Sequence, residues 1–150
     1  MATALNMTMK LKQDADSLKQ LQGLKAIFAS KVQKPMEEAM RTSKLIHFAR
    51  VLVIDDKYIQ VLTEFDGDKQ VYTEFFRKAL PDLFKTIFSL VEGAPAWDEL
   101  NQPDAFYAYS RTQNVRALGD NATDTEHEGY LFSAYGNKSV KEILPKIGMQ

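Results

Sequence analysis

The residues best suited to chemistry are an arginine, a glutamine and a glutamate, Arg50, Gln60 and Glu64, set in two apolar stretches of sequence. A β-hairpin with a three-residue turn at 55–57 places all three on one face of a sheet, with Arg50 diagonal to the other two. A guanidinium group is a fork-shaped donor to anions. The sequence therefore predicts either a polar floor for a small anionic or carbonyl-bearing molecule, or an Arg50–Glu64 ion pair that fixes strand register or a dimer contact. A turn one residue shorter would move Glu64 to the other face.

His47 is the histidine that falls in a predicted strand, so it is the natural candidate for acid–base chemistry or ligation. A three-residue turn places it opposite Phe65 and next to Asp66, and a two-residue turn places it opposite Glu64. It is the one plausible axial ligand for haem, which is the cofactor the sequence leaves open. A single histidine in a strand is equally well a hydrogen-bonded core or interface residue.

The amino-acid composition gives little support for a metal site other than haem or for thiol chemistry. There are no cysteines, which excludes disulfides, thiolate nucleophiles and zinc ribbons. The second histidine, His127, lies in a polar segment and is predicted to be solvated. We predict no metal site, and no nucleotide-binding loop or hydrolase motif is present.

Aromatic residues concentrate in the last third of the chain, where Tyr109 and Tyr135 are candidates for a pocket wall because tyrosine pairs an apolar ring with a polar tip. At helix and strand spacing, such residues serve equally well as ordinary core.

Composition and charge limit which binding partners and which cellular compartment are expected. The formal net charge is −1 and the estimated pI about 6.1, so no single-signed field attracts nucleic acid or an anionic membrane. No stretch approaches the roughly 20 apolar residues that cross a bilayer, and the first residues lack signal-peptide features. We expect a cytoplasmic protein with neither a nucleic-acid nor a membrane partner.

A length of 150 residues predicts one domain, and the periodicity of apolar residues predicts its helices and strands. Residues 3–12 alternate as a half-buried strand, and a helix follows that Pro35 should kink or end. Residues 35–40 can start another turn or two of helix, and the hairpin covers 45–65. A helix over 69–91 is divided at Pro81, and Pro103 opens a shorter one. Residues 117–128 are predicted to be a mobile polar loop, 129–135 the last strand and 139–147 a short helix.

This order predicts a ferredoxin-like, split βαβ α+β fold with a four-stranded antiparallel sheet in the order 4-1-3-2 and both long helices on one face. The first hairpin strand is apolar on both sides, and each side carries one polar exception. One side has Leu45, Ala49, Val51 and Val53, and the other has Ile46, Phe48, Leu52 and Ile54. A sheet face that lacks helices but carries such side chains needs a partner, and the usual partner in this fold is a second copy.

Four segments together resemble a group of small bacterial domains of the dimeric α+β barrel class, over roughly residues 3–142: Ile46 to Arg50, the Asp55-Asp56 turn, Glu64 to Gly67, and Phe132 to Tyr135. The polar 117–128 segment departs from that pattern, as does Gly136-Asn137 where a proline turn is more typical. The resemblance implies a fold and a homodimer, and it specifies no activity. More distant barrel relatives include dye-decolourising peroxidases, chlorite dismutase-like proteins and cofactor-free monooxygenases.

The function expected from the sequence is a homodimeric barrel that binds a small molecule between sheet face and helices. A non-catalytic assembly module and a haem-binding or monooxygenase-like enzyme are the alternatives, so whether the protein is an enzyme stays open.

Overall fold

The computed structural model describes residues 2–120 and 129–150, and within them the sheet has three antiparallel strands. These are β1 (Thr3–Lys10), β2 (Ile46–Ile54) and β3 (Tyr58–Phe65), in the spatial order β1-β3-β2. Because β3 pairs with both neighbours, β1 and β2 form the two edges of this sheet. The α+β class and the position of the hairpin beside β1 are as predicted.

Helices lie between the strands and after them. They are α1 (Ala15–Ile27), a π-helical segment (Phe28–Val32), α2 (Gln33–Ser43), α3 (Lys69–Ala79), α4 (Pro81–Ser89), α5 (Trp97–Leu100), α6 (Ala105–Thr112), α7 (Val140–Ile143) and a final 3-10 turn (Leu144–Ile147). Aspartates cap two of them, since Asp14 accepts from the amide of Ser17 at α1 and Asp68 from that of Val71 at α3. None of the helices in the described ranges is long and apolar enough to cross a bilayer.

Both prolines that were expected to interrupt helices coincide with a change of helix geometry. Pro81 is the first residue of α4, directly after α3 ends. Pro35 lies in the first turn of α2, where an α-helix would bring its ring against the carbonyl of Lys31. The chain instead widens into the π-helical segment, where the Gln33 amide donates to the Phe28 carbonyl five residues back, and the helix continues instead of ending.

The hairpin turn has three residues, as the sequence predicted. Asp55 and Asp56 both adopt left-handed backbone angles, with φ of 52° and 53°, and the Lys57 amide donates to the Ile54 carbonyl at 2.9 Å. The resulting register pairs Arg50 with Leu62.

A β-bulge at His47 changes the start of β2. Ile46 pairs with Phe65, and Phe48 pairs with Glu64, so His47 is the extra residue between them. The predicted pairing of His47 with Phe65 is therefore wrong. The bulge also moves Ile46 to the helix side, where it is buried, while Phe48 on the opposite side is 63 % exposed.

The core lies between the helices and the sheet face that we call the inner face. Alternate residues of the strands are buried there, among them Met7, Met9, Ile59, Val61 and Phe65. On the helix side Tyr72 stacks on Phe65, with ring centroids 3.8 Å apart, and its hydroxyl donates to Thr63. The predicted arrangement of helices on one face is confirmed, whereas in the structure helices cover one side of β2 and not both.

The predicted fourth strand is wrong, because residues 129–135 form coil and a turn. The edge of β1 that a fourth strand would occupy instead receives two short bridges, Met7 with Asn114 and Leu11 with Val91. The Thr8 amide donates to the Gln113 carbonyl at 3.0 Å, within the first of these bridges. Two unrelated segments therefore satisfy the edge that residues 129–135 were expected to pair with.

A mobile loop was predicted over residues 117–128. Residues 121–128, which include His127, lie outside the described part of the chain. Residues 117–120 are described, and they contain no helix or strand.

Candidate functional site

The sheet face that points away from the helices, which we call the outer face, brings together three of the six predicted site residues. Arg50 extends from β2, and Gln60 and Glu64 extend from β3. Large apolar side chains surround them and remain exposed: Phe48 at 63 %, Leu52 at 38 %, Ile54 at 41 % and Tyr58 at 38 %. The outer face is thus an apolar surface with a charged centre.

The Arg50–Glu64 pair at this centre is loose. The Nη1 atom of Arg50 lies 3.7 Å from Oε1 of Glu64, which is longer than a hydrogen bond. The arginine side chain is 55 % exposed, but that of the glutamate is only 16 % exposed. The second oxygen, Oε2, is buried with no hydrogen-bond partner in the described part of the chain. A carboxylate in that position is undersupplied with donors, which costs free energy unless another group reaches it.

The neighbouring strand supplies polar side chains to the same face. Thr8 of β1 lies opposite Gln60, and the Gln60 side-chain amide donates to its hydroxyl at 3.1 Å. Asn6 and Lys10 take the adjacent positions on that side of β1. This placement was predicted, and it makes one side of the outer face polar while the β2 side is apolar.

His47 does not join this site. Its Nε2 atom lies 2.8 Å from Oδ1 of Asp66, and both side chains are nearly buried. The other carboxylate oxygen of Asp66 accepts the backbone amide of Val140 at 2.7 Å. The pair therefore connects the β2 bulge to the first residue of α7, and the Nε2 atom of His47 is already engaged in a hydrogen bond.

The two predicted tyrosines also lie elsewhere. Tyr109 belongs to α6 and packs edge-on against Phe88 on the helix side, where burial raises the pKa of its phenol. Tyr135 lies in the turn at residues 134–137 and is 59 % exposed. Tyr109 therefore packs in the core on the helix side of the sheet, whereas a role for Tyr135 in a site stays a prediction.

The space between the inner face and the helices is nearly filled. A cavity of about 20 Å³ there is bounded by Met36, Thr63 and Tyr72 among others. That is room for about one water molecule, so a small molecule does not fit in this cavity.

A larger cavity of about 150 Å³, which the sequence did not indicate, lies where β1, α3 and α6 meet. Lys69, Arg111 and Arg116 line it. These cations are up to 47 positions apart in the chain and share no motif, so no sequence pattern could have joined them. Across the described ranges, no group of three or more histidine or acidic side chains is arranged to hold a metal ion.

No protein-family model matches this chain, and neither a curated protein nor a solved structure is significantly similar to it.

Proposed function

We propose that this protein is a homodimer in which the outer faces of two copies pack together, and that the space between them binds a small anionic or carbonyl-bearing molecule on Arg50. The observation that carries the proposal is the outer face itself, where exposed apolar side chains surround an arginine and a poorly satisfied glutamate. Two such sheets meeting face to face would form the shared interior of a dimeric α+β barrel.

The apolar part of the face supports association. Phe48, Leu52, Ile54 and Tyr58 lie together on two adjacent strands, and each exposes more than a third of its surface. Monomeric proteins rarely expose large contiguous apolar patches, so such a patch indicates an interaction site. A stable pair would bury roughly 1,200–2,000 Å² in total.

The charged centre of the outer face favours a second copy of this chain, and not an unrelated protein, as the binding partner. In a two-fold symmetric interface each copy presents the same patch, so the patch must be complementary to itself. At its centre the outer face has a cation, Arg50, beside an anion, Glu64, and this pair of opposite charges meets the condition.

The binding of a small molecule follows from the geometry of Arg50. Its side chain is more than half exposed and its contact with Glu64 is longer than a hydrogen bond, so N–H donors remain for a ligand. Gln60 and Thr8 border that space with amide and hydroxyl groups. If the charges serve only to align two copies, the protein is a non-catalytic assembly module.

Association is tested by sedimentation equilibrium of the wild type and of two variants at micromolar concentration. Phe48→Asp places a charge in the outer face, and Val71→Asp places the same charge on α3, where Val71 is equally exposed. We expect a dimer for the wild type and for Val71→Asp, and a monomer for Phe48→Asp. A wild-type mass near the 17.0 kDa of one chain would contradict the proposal.

Binding is tested by a thermal-shift screen of carboxylates, phosphates and haemin on the wild type and on Arg50→Leu. We expect at least one of these anions to stabilise the wild type and not the variant, while both stay dimeric. If no anion stabilises the wild type and Arg50→Leu loses the dimer, the assembly-module alternative is correct.

A further inference from the structure

Given the proposed function, on which this step rests, we propose that the molecule bound on Arg50 is a carboxylate with an apolar body and with a hydroxyl or ammonium group on the carbon next to the carboxylate. Arg50 donates to the carboxylate, and Glu64 accepts from the hydroxyl or ammonium group. An α-hydroxy acid and an α-amino acid both have this arrangement of groups.

Glu64 is the acceptor because the described part of the chain supplies its carboxylate with no hydrogen-bond donor. The Oε2 atom is buried without a partner, and the Oε1 atom lies 3.7 Å from Nη1 of Arg50, beyond hydrogen-bond distance. The side chain is 16 % exposed, so Oε1 is the carboxylate oxygen that a ligand can reach. An ionised carboxylate accepts hydrogen bonds and donates none, so its complement in the ligand is an N–H or O–H group.

The short distance between the two charged side chains sets the spacing of groups within the ligand. In the hairpin Phe48 pairs with Glu64 and Arg50 pairs with Leu62, so Arg50 and Glu64 are diagonal neighbours on the outer face. A ligand that bonds to both must therefore carry its anionic group and its donor close together. Groups on adjacent carbon atoms satisfy this condition, whereas groups at the two ends of a long molecule do not.

The opposite charges of Arg50 and Glu64 disfavour other kinds of anion. A phosphate group or a dicarboxylate brings further negative charge near Glu64, which repels it. A hydroxyl or ammonium group beside a single carboxylate instead presents a hydrogen-bond donor to Glu64. The pair therefore selects for a ligand with an anionic group and a donor, and against one that is negative throughout.

The apolar side chains around the arginine indicate the rest of the ligand. Phe48 and Leu52 lie two positions before and after Arg50 on β2, so all three project from the same face, and both apolar side chains are exposed. An apolar group attached beside the carboxylate would cover them and remove their surface from water, which is favourable. The ligand class is therefore an α-hydroxy or α-amino acid with an apolar side chain.

The test is a calorimetric titration with three carboxylates that share one carbon skeleton. Phenylpropionate has only hydrogen on the carbon beside the carboxylate, phenyllactate has a hydroxyl group there, and phenylalanine has an ammonium group. We expect the wild type to bind phenyllactate or phenylalanine roughly tenfold more tightly than phenylpropionate, because only those two supply a donor to Glu64. The tighter of the two identifies the ligand class as a hydroxy acid or an amino acid.

Two variants assign this preference to Glu64. Glu64→Gln removes the charge and keeps the size, so the preference for phenyllactate and phenylalanine should shrink. Phenylpropionate should bind Glu64→Gln more tightly than the wild type, because a repelling charge is gone. Glu38→Gln, which neutralises an exposed glutamate of α2, should keep the wild-type preference. A glutamate that only held the strands in register would not change the order of the three ligands.

The outcomes distinguish the ligand class from binding on Arg50 itself. Equal affinities of the wild type for the three carboxylates, or an unchanged preference in Glu64→Gln, would overturn the ligand class and leave anion binding on Arg50 standing. Failure of phenyllactate and phenylalanine to bind would do the same if another anion in the thermal-shift screen stabilises the wild type through Arg50. Failure of every anion would overturn both. The order of affinities in the wild type needs no variant, so it decides the matter even if Glu64→Gln does not fold.

Discussion

Asp66 joins two parts of the chain that lie far apart in the sequence. One carboxylate oxygen pairs with the His47 ring in the β2 bulge, and the other accepts the Val140 amide at the start of α7. Because the His47 and Asp66 side chains are nearly buried, removing the carboxylate leaves groups that water cannot fully satisfy.

We therefore expect Asp66→Ala to lower the free energy of unfolding by about 2–4 kcal/mol, the sum of two lost polar contacts. The matched control is Asp68→Ala, which removes a helix cap from α3 and should cost about 1 kcal/mol. Urea unfolding measures both, and hydrogen exchange at Val140 should accelerate in Asp66→Ala alone. Equal losses in the two variants would show that Asp66 acts merely as a turn residue.

Tyr72 gives the protein a predictable response to alkaline pH. Burial raises the pKa of its phenol well above the ordinary value of 10.0, and the hydroxyl donates to Thr63. The unfolded chain therefore releases this proton at a lower pH than the folded chain does. The corresponding stability is complete below about pH 10 and is lost as the pH rises above it.

Tyr72→Phe should cost about 1 kcal/mol at neutral pH, because Thr63 loses its partner. Above pH 10 the wild type should lose stability more steeply than the variant, and the two unfolding free energies should converge. Urea unfolding between pH 7 and pH 11 measures the difference. Parallel curves would mean that Tyr72 ionises equally well in the folded chain.

Residue pairing across the hairpin was predictable, but the bulge within it was not. The turn residues and the alternation of side chains set the pairing of Arg50 with Leu62, and hence the face shared with Gln60 and Glu64. A bulge adds one residue to a strand, and no particular residue type marks its position in the sequence. His47 is that residue, so its contact with Asp66 and the burial of Ile46 could not be read from spacing.

At the scale of elements, the sequence predicted the three strands and most helices because each has a clear period or a proline at its boundary. The sequence wrongly predicted a strand over residues 129–135 because their aromatic and apolar composition is typical of a strand. Strand formation also requires a free edge, and the Gln113 and Asn114 contacts already occupy that of β1. Competition for an edge depends on the whole fold, so a local pattern does not reveal it.

The chain at Gly129 is held in a conformation that explains part of this outcome. Its φ is +88°, and a β-carbon there would lie 2.1 Å from the carbonyl oxygen of Ala117. The Tyr130 amide donates to the Leu118 carbonyl at 3.3 Å beside it. Two parts of the chain therefore meet at this point more closely than any residue but glycine allows.

Gly129→Ala should break this approach, since it adds a steric clash to a left-handed strain that alone costs on the order of 1–3 kcal/mol. Gly136→Ala is the control, because its φ of +60° carries the same kind of strain but its β-carbon would meet open space. We expect faster hydrogen exchange at Tyr130 in Gly129→Ala and little change there in Gly136→Ala. Unchanged protection in both variants would show that the contact contributes nothing.

At the scale of the whole molecule, the core is complete but the surface is uneven. The centre of the inner face is filled to within about one water molecule, while the outer face leaves apolar side chains on β2 and β3 in contact with solvent. The sequence predicted this face because β2 is apolar on both sides. The cationic cavity was not predictable, since its three charges converge only after α3 and α6 pack beside β1.

If the outer face joins two copies, thermal stability must depend on protein concentration, because unfolding then releases two chains from one dimer. A hundredfold increase in concentration stabilises the dimer by about 2.7 kcal/mol, or about 1.4 kcal/mol per chain. For a chain of 150 residues this corresponds to a rise in Tm of roughly 3–6 °C. Phe48→Asp should melt at a Tm independent of concentration, because its solvent-exposed substitution removes association without disturbing the core. Calorimetric scans of both proteins at the two concentrations decide the matter, and a wild-type Tm that does not move would mean that the outer face stays exposed in solution.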